Sequence, residues 1–376
     1  MKITSSKKNL MESINIAMKA VPARSTKPIL MDIVFYANDD DVHLIANDGD
    51  LGIETILEAK VSETGAVAIP AKMLAESIKK MPEADITLSS PANKEKGYEV
   101  LLKCGKIRIR IPGEATDQFL FLPEVEREGS FTVKQKVLQD ALDGTLFSLA
   151  KKQDNQLMTA EYMELSKESE TSDNKVLRLI ALDGHRISIR RVPVGAHDGD
   201  NKANVPGKTL NEVIKLLTGD DDETVTVSYG KNHVVFDLDG TTVVSNLVQG
   251  EFFAVDQMIS SDYKAKVLIK RDKLIGMVDR ATLFVEENDK KPIVMNFKGN
   301  NLNLSIESKL GAMSEDLDID KTGEDIMIGF NPRFMLEALK NVAEDNVTFY
   351  LTGAKSPVYI RDEESTYFYL ILPVNI

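Results

Sequence analysis

Tryptophan is missing from this 376-residue chain, and cysteine occurs only once. A single cysteine excludes an intrachain disulfide and any CxxC metal cluster, in keeping with a reducing compartment. Cys104, in Leu101-Leu102-Lys103-Cys104, reads as a small strand residue rather than a nucleophile. His43, His197 and His233 are scattered and suggest no metal site. No stretch approaches the ~18 uninterrupted apolar residues of a membrane span, and Met1 to Leu10 has no apolar core of a secretory signal. The expectation is a cytoplasmic protein with no membrane anchor. The chain also lacks a P-loop, a GxSxG elbow, an HExxH helix and a GxGxxG after a strand. No catalytic residue, metal or cofactor is therefore expected.

What is present is a soluble composition, 43 % hydrophobic and 28 % charged, in a chain too long for one core, since cores seldom grow past about 250 residues. A threefold repeat accounts for the length. Each copy opens with a short strand and an amphipathic helix: Lys2 to Thr4 before Lys7 to Val21, Ser130 to Val133 before Lys134 to Leu149, and Lys266 to Ile269 before Arg271 to Val285. A second strand-to-helix unit follows with proline at the junction, where the missing N–H costs nothing. These junctions are Ala68-Ile69-Pro70 into Ala71 to Met81, Asn204-Val205-Pro206 into Gly207 to Leu217, and Phe330-Asn331-Pro332 into Arg333 to Val342. Alternating β-branched segments come next, among them Asp85 to Leu88, Thr224 to Ser228 and Asn346 to Tyr350, each a strand with one buried face. The reading is α+β: three similar domains at residues 1–122, 123–250 and 251–376, each with two helices and about eight strands of antiparallel sheet. Asp39 to Asp41 and Asp220 to Asp222 fall between elements and read as turns.

A net charge of −13 argues at first sight against a nucleic-acid partner. The charge is segregated, however. The six helical stretches taken with their flanks, Ser5 to Val21, Pro70 to Met81, Val133 to Lys152, Pro206 to Leu217, Lys270 to Phe284 and Pro332 to Val342, hold 18 basic and 8 acidic side chains, so they carry +10 and leave −23 on the remainder. Glutamate is as good a helix former as lysine, so propensity does not produce this split. Helices facing a polyanion would; so would the ordinary charging of exposed helix faces. No zinc-finger spacing, basic aromatic strand or tryptophan accompanies the charge, so contacts to DNA should be to phosphate and independent of sequence. The one cluster with catalytic residue types is Asp183-Gly184-His185-Arg186. General acid–base work would need a pocket and a second carboxylate or nucleophile beside it; a tight turn whose Asp and His satisfy backbone groups needs neither.

Three separated segments carry a resemblance to a known family. Leu179-Ile180-Ala181-Leu182-Asp183-Gly184-His185-Arg186-Ile187 is similar to a (V/A)-x-T-D-G-H-R-L motif, Tyr369 to Ile376 to a terminal (M/L)-P-(M/V)-R, and Arg24 to Leu30 to R-x-x-x-P-I-L. Together with the repeat they resemble the beta sliding clamp of bacterial DNA polymerase III over the whole chain. The resemblance implies a non-enzymatic processivity factor: a ring-shaped homodimer around double-stranded DNA, loaded by a separate ATP-driven clamp loader. It also implies a pocket between the second and third domains that holds short linear motifs of the DNA polymerase and of the loader.

By the same resemblance, Arg24, Lys72, Lys208 and Lys215 are DNA-facing, with Lys151 and Lys152 in a loop that also meets DNA. The implied peptide pocket takes Gly184, His185, Arg186, Ile187, Phe253, Met258, Leu370, Leu372, Pro373, Val374, Asn375 and Ile376. Departures border that pocket: Leu182 replaces a common Thr, Asn375 a common Arg, and Gly250 to Val255 reads Gly-Glu-Phe-Phe-Ala-Val where the family usually has G-x-(F/Y)-P-(D/N)-(Y/T). Dimerisation is expected through edge strands near Lys103 to Arg110 and Gly299 to Leu304. The alternative readings are an open clamp-like scaffold or decoy and, in another class, a metal-dependent hydrolase built on Asp183 to Arg186.

Overall fold

The computed structural model describes residues 1–90, 98–152, 154–167, 175–199, 202–285, 291–364 and 366–376. The six helical segments all form: α1 (Lys7–Ala17), α2 (Ala71–Lys79), α3 (Gln135–Asp143), α4 (Gly207–Ile214), α5 (Arg271–Thr282) and α6 (Pro332–Lys340). Their starts follow local chemistry. The Ser6 side chain caps α1 by accepting from the Asn9 amide, and Asn331 caps α6 by accepting from Arg333. Pro332 occupies the first turn of α6, while Pro70 sits one position earlier, as the N-cap of α2. Leu74 and Ile78 bury one stripe of α2, and Met335, Ala338 and Leu339 one stripe of α6. The expected helix to Leu149 stops at Asp143 instead. A side chain at Gly144 would sit 2.5 Å from Nε of Arg190, and the Thr145 hydroxyl donates to the Ala141 carbonyl at 3.0 Å, closing the helix end.

Each third of the chain carries nine strands rather than eight, all antiparallel, within the described residues. The expectation missed short edge pieces such as His197–Asp198, too brief to show periodicity. The chain divides into two compact units, and the middle repeat contributes to both. In the first unit a nine-stranded sheet runs Gly65–Pro70, Asp32–Ala37, Val42–Asn47, Leu51–Leu57, Thr241–Asn246, His233–Leu238, Thr224–Tyr229, Gly129–Lys134, His197–Asp198. In the second unit another runs Lys202–Pro206, Ala160–Lys167, Lys175–Leu182, Arg186–Pro193, Tyr367–Ile371, Val358–Arg361, Asn346–Leu351, Ala265–Lys270, Asp320–Gly323. The order is the same in both: four strands of one repeat, then five of the next.

Two smaller sheets complete the molecule. The first unit holds five strands, Lys60–Glu63, Lys2–Ser6, Asp85–Ser89, Tyr98–Cys104 and Ile107–Gly113; the second holds four, Gly311–Asp318, Asn301–Ser308, Ile293–Lys298 and Ile326–Phe330. Ile107–Gly113 is an edge strand, as expected. The strand at residues 301–308 is not. It is paired on both sides, and the edge is Gly311–Asp318. The alternation of Asn301 to Leu304 signals a strand but says nothing of its neighbours.

One buried charge-bearing group stands out. Glu161, on Ala160–Lys167, is fully buried, and neither carboxyl oxygen has a hydrogen-bonding partner, because the nearby Thr145 hydroxyl is spent on the Ala141 and Leu142 carbonyls. Burial pushes its carboxyl up to about 8. The folded state then holds a proton that the unfolded chain releases near pH 4.5, so stability falls as pH rises from there through about 8. Glu161→Gln should flatten this slope, raising stability at pH 8.5 by on the order of a few kcal/mol and leaving it unchanged at pH 5. Thermal melts of both proteins across that range check it; parallel curves would show that Glu161 is not protonated in the fold.

Candidate functional site

Asp183, Gly184, His185 and Arg186 form the turn of a hairpin between Lys175–Leu182 and Arg186–Pro193. Asp183 Oδ1 accepts from the amides of His185 (3.0 Å) and Arg186 (3.2 Å), and Gly184 takes a φ of +84°, which favours glycine. The carboxylate thus serves the turn. Arg186 is only 7 % exposed. Its Nε donates to Asp183 Oδ2 (3.1 Å), its other nitrogens to Glu337 and the Phe147 carbonyl, and its guanidinium lies between the Phe147 and Phe334 rings, 5.3 and 4.3 Å from their centroids. Arg186 is a buried post, and three of its five N–H donors are already used. The His185 ring faces Phe334 at 6.1 Å.

Beside this post lies a cavity of about 360 Å³. Its walls include Gly184, Arg186, Ile187, Phe253, Met258, Leu370 and Leu372 from the expected set, and Met158, Leu182 and Pro357 besides. Leu182 entered the sequence reading only as a departure; Met158 and Pro357 lie far off in sequence and carry no motif. Ile187 and Leu370 are cross-strand partners, so their side chains share a face, while Tyr369 and Ile371 turn the other way into the core. The Leu372 amide donates to the His185 carbonyl at 2.9 Å, which seats Leu372 at the mouth, 38 % exposed.

The segment that delivers Phe253 and Met258 is pinned along its length. The Asn204 side chain donates to the Val248 and Gly250 carbonyls at 3.1 and 2.9 Å, and Phe252 stacks flat on Tyr162 at 4.8 Å with Phe253 edge-on to it at 5.4 Å. Arg178 grips Asp256 with two bonds of 3.1 and 2.5 Å, which holds the Asp256 carboxyl below the usual range. These contacts pin residues 250–256, a stretch that holds no proline.

The tail beyond Leu372 does not follow the expected course along this groove. Pro373, Val374, Asn375 and Ile376 are absent from its walls. The Val374 amide donates to the Gly329 carbonyl (2.9 Å), and a side chain at Gly329 would sit 2.7 Å from the Val374 carbonyl and 3.0 Å from Ile376. Asn375 and Ile376 line a different cavity, of about 820 Å³, with Pro292 and Val294. The tail is thus anchored on Ile326–Phe330, whose open edge offers a carbonyl.

All six expected DNA-facing residues, Arg24, Lys72, Lys151, Lys152, Lys208 and Lys215, are exposed. Lys208 pairs with Asp48 at 2.5 Å. Burial works against the charged form of Asp48, but the Lys208 bond and the Leu51 and Asp50 amides outweigh it and lower its pKa. Lys215 pairs with Glu212 at 2.7 Å. Lys19 lies close enough to this pair for Lys215 to add to burial in lowering its pKa, against the pull of Glu212. Basic side chains from α4 and from the end of α1 therefore converge. In both pairs the lysine is the exposed partner, 66 % for Lys208 and 55 % for Lys215, while the Asp48 carboxylate is only 8 % exposed. Among the described residues no group of three His, Cys, Asp or Glu could hold a metal ion, and no helix is long and apolar enough to cross a membrane.

Comparison with known proteins accounts for the whole chain. Family models for the DNA polymerase III beta subunit match end to end: the N-terminal domain at residues 1–123, the central domain at 132–253 and the C-terminal domain at 256–375. The beta sliding clamp of Staphylococcus epidermidis is 26 % identical over 386 aligned residues, covering 100 % of this chain and 99 % of that protein. A crystal structure of a putative DNA polymerase III beta subunit from Eubacterium rectale is 44 % identical with a TM-score of 0.94, and that of the DNA polymerase sliding clamp from Bacillus subtilis 26 % identical with a TM-score of 0.93; each covers 100 % of this chain and 99 % of the other. With three family models matching nearly all of its length and the fold repeated strand by strand, the chain belongs to the DNA polymerase III beta subunit family, the beta sliding clamps.

Proposed function

We propose that two copies of this chain close head to tail into a ring around duplex DNA in the cytoplasm, and that the ring tethers a polymerase and other DNA-working proteins through the pocket at Leu182 to Ile187. The observation that carries this is the sheet order. The four-stranded sheet matches the first four positions of each nine-stranded sheet, and the five-stranded sheet matches the other five. Joining Gly311–Asp318 of one copy to Ile107–Gly113 of another would complete a third sheet of the same kind and satisfy both open edges. The edges suit each other. Ile109 and Ile111 alternate with Arg108 and Arg110 on one; Met313 and Leu317 alternate with Ser314, Asp316 and Asp318 on the other. Leu283, 73 % exposed, lies next to Phe284, which packs on Gly311; the cavity at Met31, Met73 and Ile109 would take such an apolar side chain.

The ring explains why chemistry is absent. A closed ring cannot leave duplex DNA sideways, so weak phosphate contacts from Arg24, Lys72, Lys151, Lys152, Lys208 and Lys215 permit sliding while topology prevents loss. The acidic remainder discourages wrong approaches of DNA. Opening falls to a separate loader. In the pocket, Ile187, Leu370, Leu372, Met258 and Phe253 would hold the apolar anchors of a linear motif, and His185 stands at the rim for its polar groups.

Three measurements test this reading. Sedimentation at micromolar concentration should give a dimer; Arg108→Glu with Arg110→Glu should shift it to monomer, and adding Asp316→Arg should restore part of the dimer. Monomer in the unaltered protein would sink the ring. Replacing Lys72, Lys208 and Lys215 by Glu should weaken DNA association at least tenfold with no change in sequence preference, and the log–log salt slope should become shallower by about 3. Binding that ignores salt between 50 and 200 mM, the range over which phosphate-driven binding changes by orders of magnitude, would refute the charge argument. Leu372→Asp should weaken binding of a polymerase's short apolar clamp-binding peptide at least tenfold at unchanged dimer mass; unchanged affinity would place the peptide elsewhere.

A further inference from the structure

The seam between the first and second repeats is built like the seam that forms the peptide pocket, residue for residue in the hairpin. Asp48-Gly49-Asp50-Leu51 occupies the place of Asp183-Gly184-His185-Arg186. Asp48 Oδ1 accepts from the Asp50 and Leu51 amides at 2.9 and 2.8 Å, as Asp183 does from the amides of His185 and Arg186. Gly49 has a φ of +100° where Gly184 has +84°. The Asn246 amide donates to the Asp50 carbonyl at 2.9 Å, as the Leu372 amide does to His185 at 2.9 Å. Val244 faces Gly52 across the strands as Leu370 faces Ile187. The residues at 119–123 stand where the pinned segment at 250–256 stands in the other seam.

This seam holds a cavity of its own, about 230 Å³, walled by Leu120, Phe121, Pro123, Val244, Asp50 and Asn246 among others. Leu120 and Phe121 are an adjacent apolar pair, 47 % and 43 % exposed. They are held in place. Asn47 donates to the Leu120 carbonyl at 3.1 Å, and Phe119, buried, meets Phe121 edge-on at 5.4 Å. Gly52 lets Leu122 lie against the strand, since a side chain there would sit 3.0 Å from it. The result is a smaller site than its counterpart, with room for one apolar anchor instead of two. Its charge differs too. Asp50 stands where the other pocket has His185; one of its oxygens accepts from Asn246 at 3.2 Å, and no lysine or arginine lines the cavity. Lys208, the nearby cation, is drawn onto Asp48.

We propose that this seam is a second peptide-docking site, which takes an extended segment of a partner protein with one apolar anchor beside a lysine or arginine. The anchor rests on Leu120, Phe121 and Val244, and the cation pairs with Asp50, so the two sites of one chain select different motifs. The inference borrows from the proposed function only the idea that such a seam binds peptide. Its test reads the two sites separately. A fluorescein-labelled Ser-Gly-Lys-Leu-Lys-Gly-Ser peptide is titrated against the intact protein by anisotropy, beside a version with glutamate for both lysines. Leu120→Ser should weaken the lysine peptide at least tenfold and Asp50→Asn about fivefold, Leu372→Asp should leave it unchanged, and the glutamate version should bind at least tenfold more weakly. A benzophenone-bearing lysine peptide should crosslink the wild-type protein at the segment containing Leu120 and Phe121, a readout that needs no variant to fold. No binding at millimolar peptide, or binding lost in Leu372→Asp but kept in Leu120→Ser, overturns the second site and leaves the first pocket standing. Failure of the polymerase peptide at Leu372 alone would overturn the first and leave the second.

Discussion

An edge strand with open N–H and C=O groups has to be paired, covered or left as a liability, and this constraint organises the molecule. Each repeat contributes strands to two sheets, four to one and five to the next. A repeat alone would therefore expose, besides its outer edges, one further edge on each of its two sheets. Along the chain those edges meet at two seams, Leu51 to Thr55 against Thr241 to Ser245 and Arg186 to Arg190 against Tyr367 to Ile371. Repeats that bury and bond chiefly with their neighbours form a quasi-one-dimensional array, and such an array ends either in caps or in another copy of itself. Among the described residues neither Ile107–Gly113 nor Gly311–Asp318 has a strand on its outer side, and the one proline in them, Pro112, lies near the end of its strand. Arg108 and Arg110 on the one and Asp316 and Asp318 on the other give these two edges opposite charge.

Function of this kind asks little of individual residues and much of their distribution. Retention comes from closure, so DNA contacts need only be numerous, cationic and blind to sequence. Strong or base-specific contacts would stop the ring. Lys208 and Lys215 would suit this demand if they meet DNA: each presents an exposed ammonium beside a neighbouring carboxylate. The same economy explains why a chain of net charge −13 suits DNA, provided its excess acid sits on the strands and loops.

Much of this was legible in the residues. The three strand-to-helix openings, the proline junctions and the turn at Asp183 to Arg186 all carry local chemistry, caps and missing N–H groups, that acts over four or five positions and so shows in the sequence. What escaped depends on distant neighbours. Whether the strand at 301–308 or Gly311–Asp318 forms the edge is decided by pairing, not by alternation. Arg186 has the residue type of a ligand-binding side chain, yet Phe147, Phe334 and Glu337, far away in sequence, enclose it. The tail departs from the groove because Gly329 lets the backbone approach, a contact no pattern within the tail reveals.

The two seams show how one backbone requirement can be kept while side chains diverge. Both hairpins keep Asp then Gly, because the Asp oxygen must serve two amides and the next residue must take a positive φ. The hairpin that would form the third seam, between copies, keeps the function with other residues: Ser308 accepts from the Leu310 amide at 3.1 Å, a weaker version of the same turn. Beyond these positions the constraint ends, and the side chains differ freely: Ile187 against Gly52 and Leu372 against Asn246 in the walls, His185 against Asp50 in the turn. Backbone geometry sets where a groove forms at each seam, and the unconstrained side chains set what it can hold. A site of altered selectivity can therefore arise at a seam without disturbing the sheet that makes the ring.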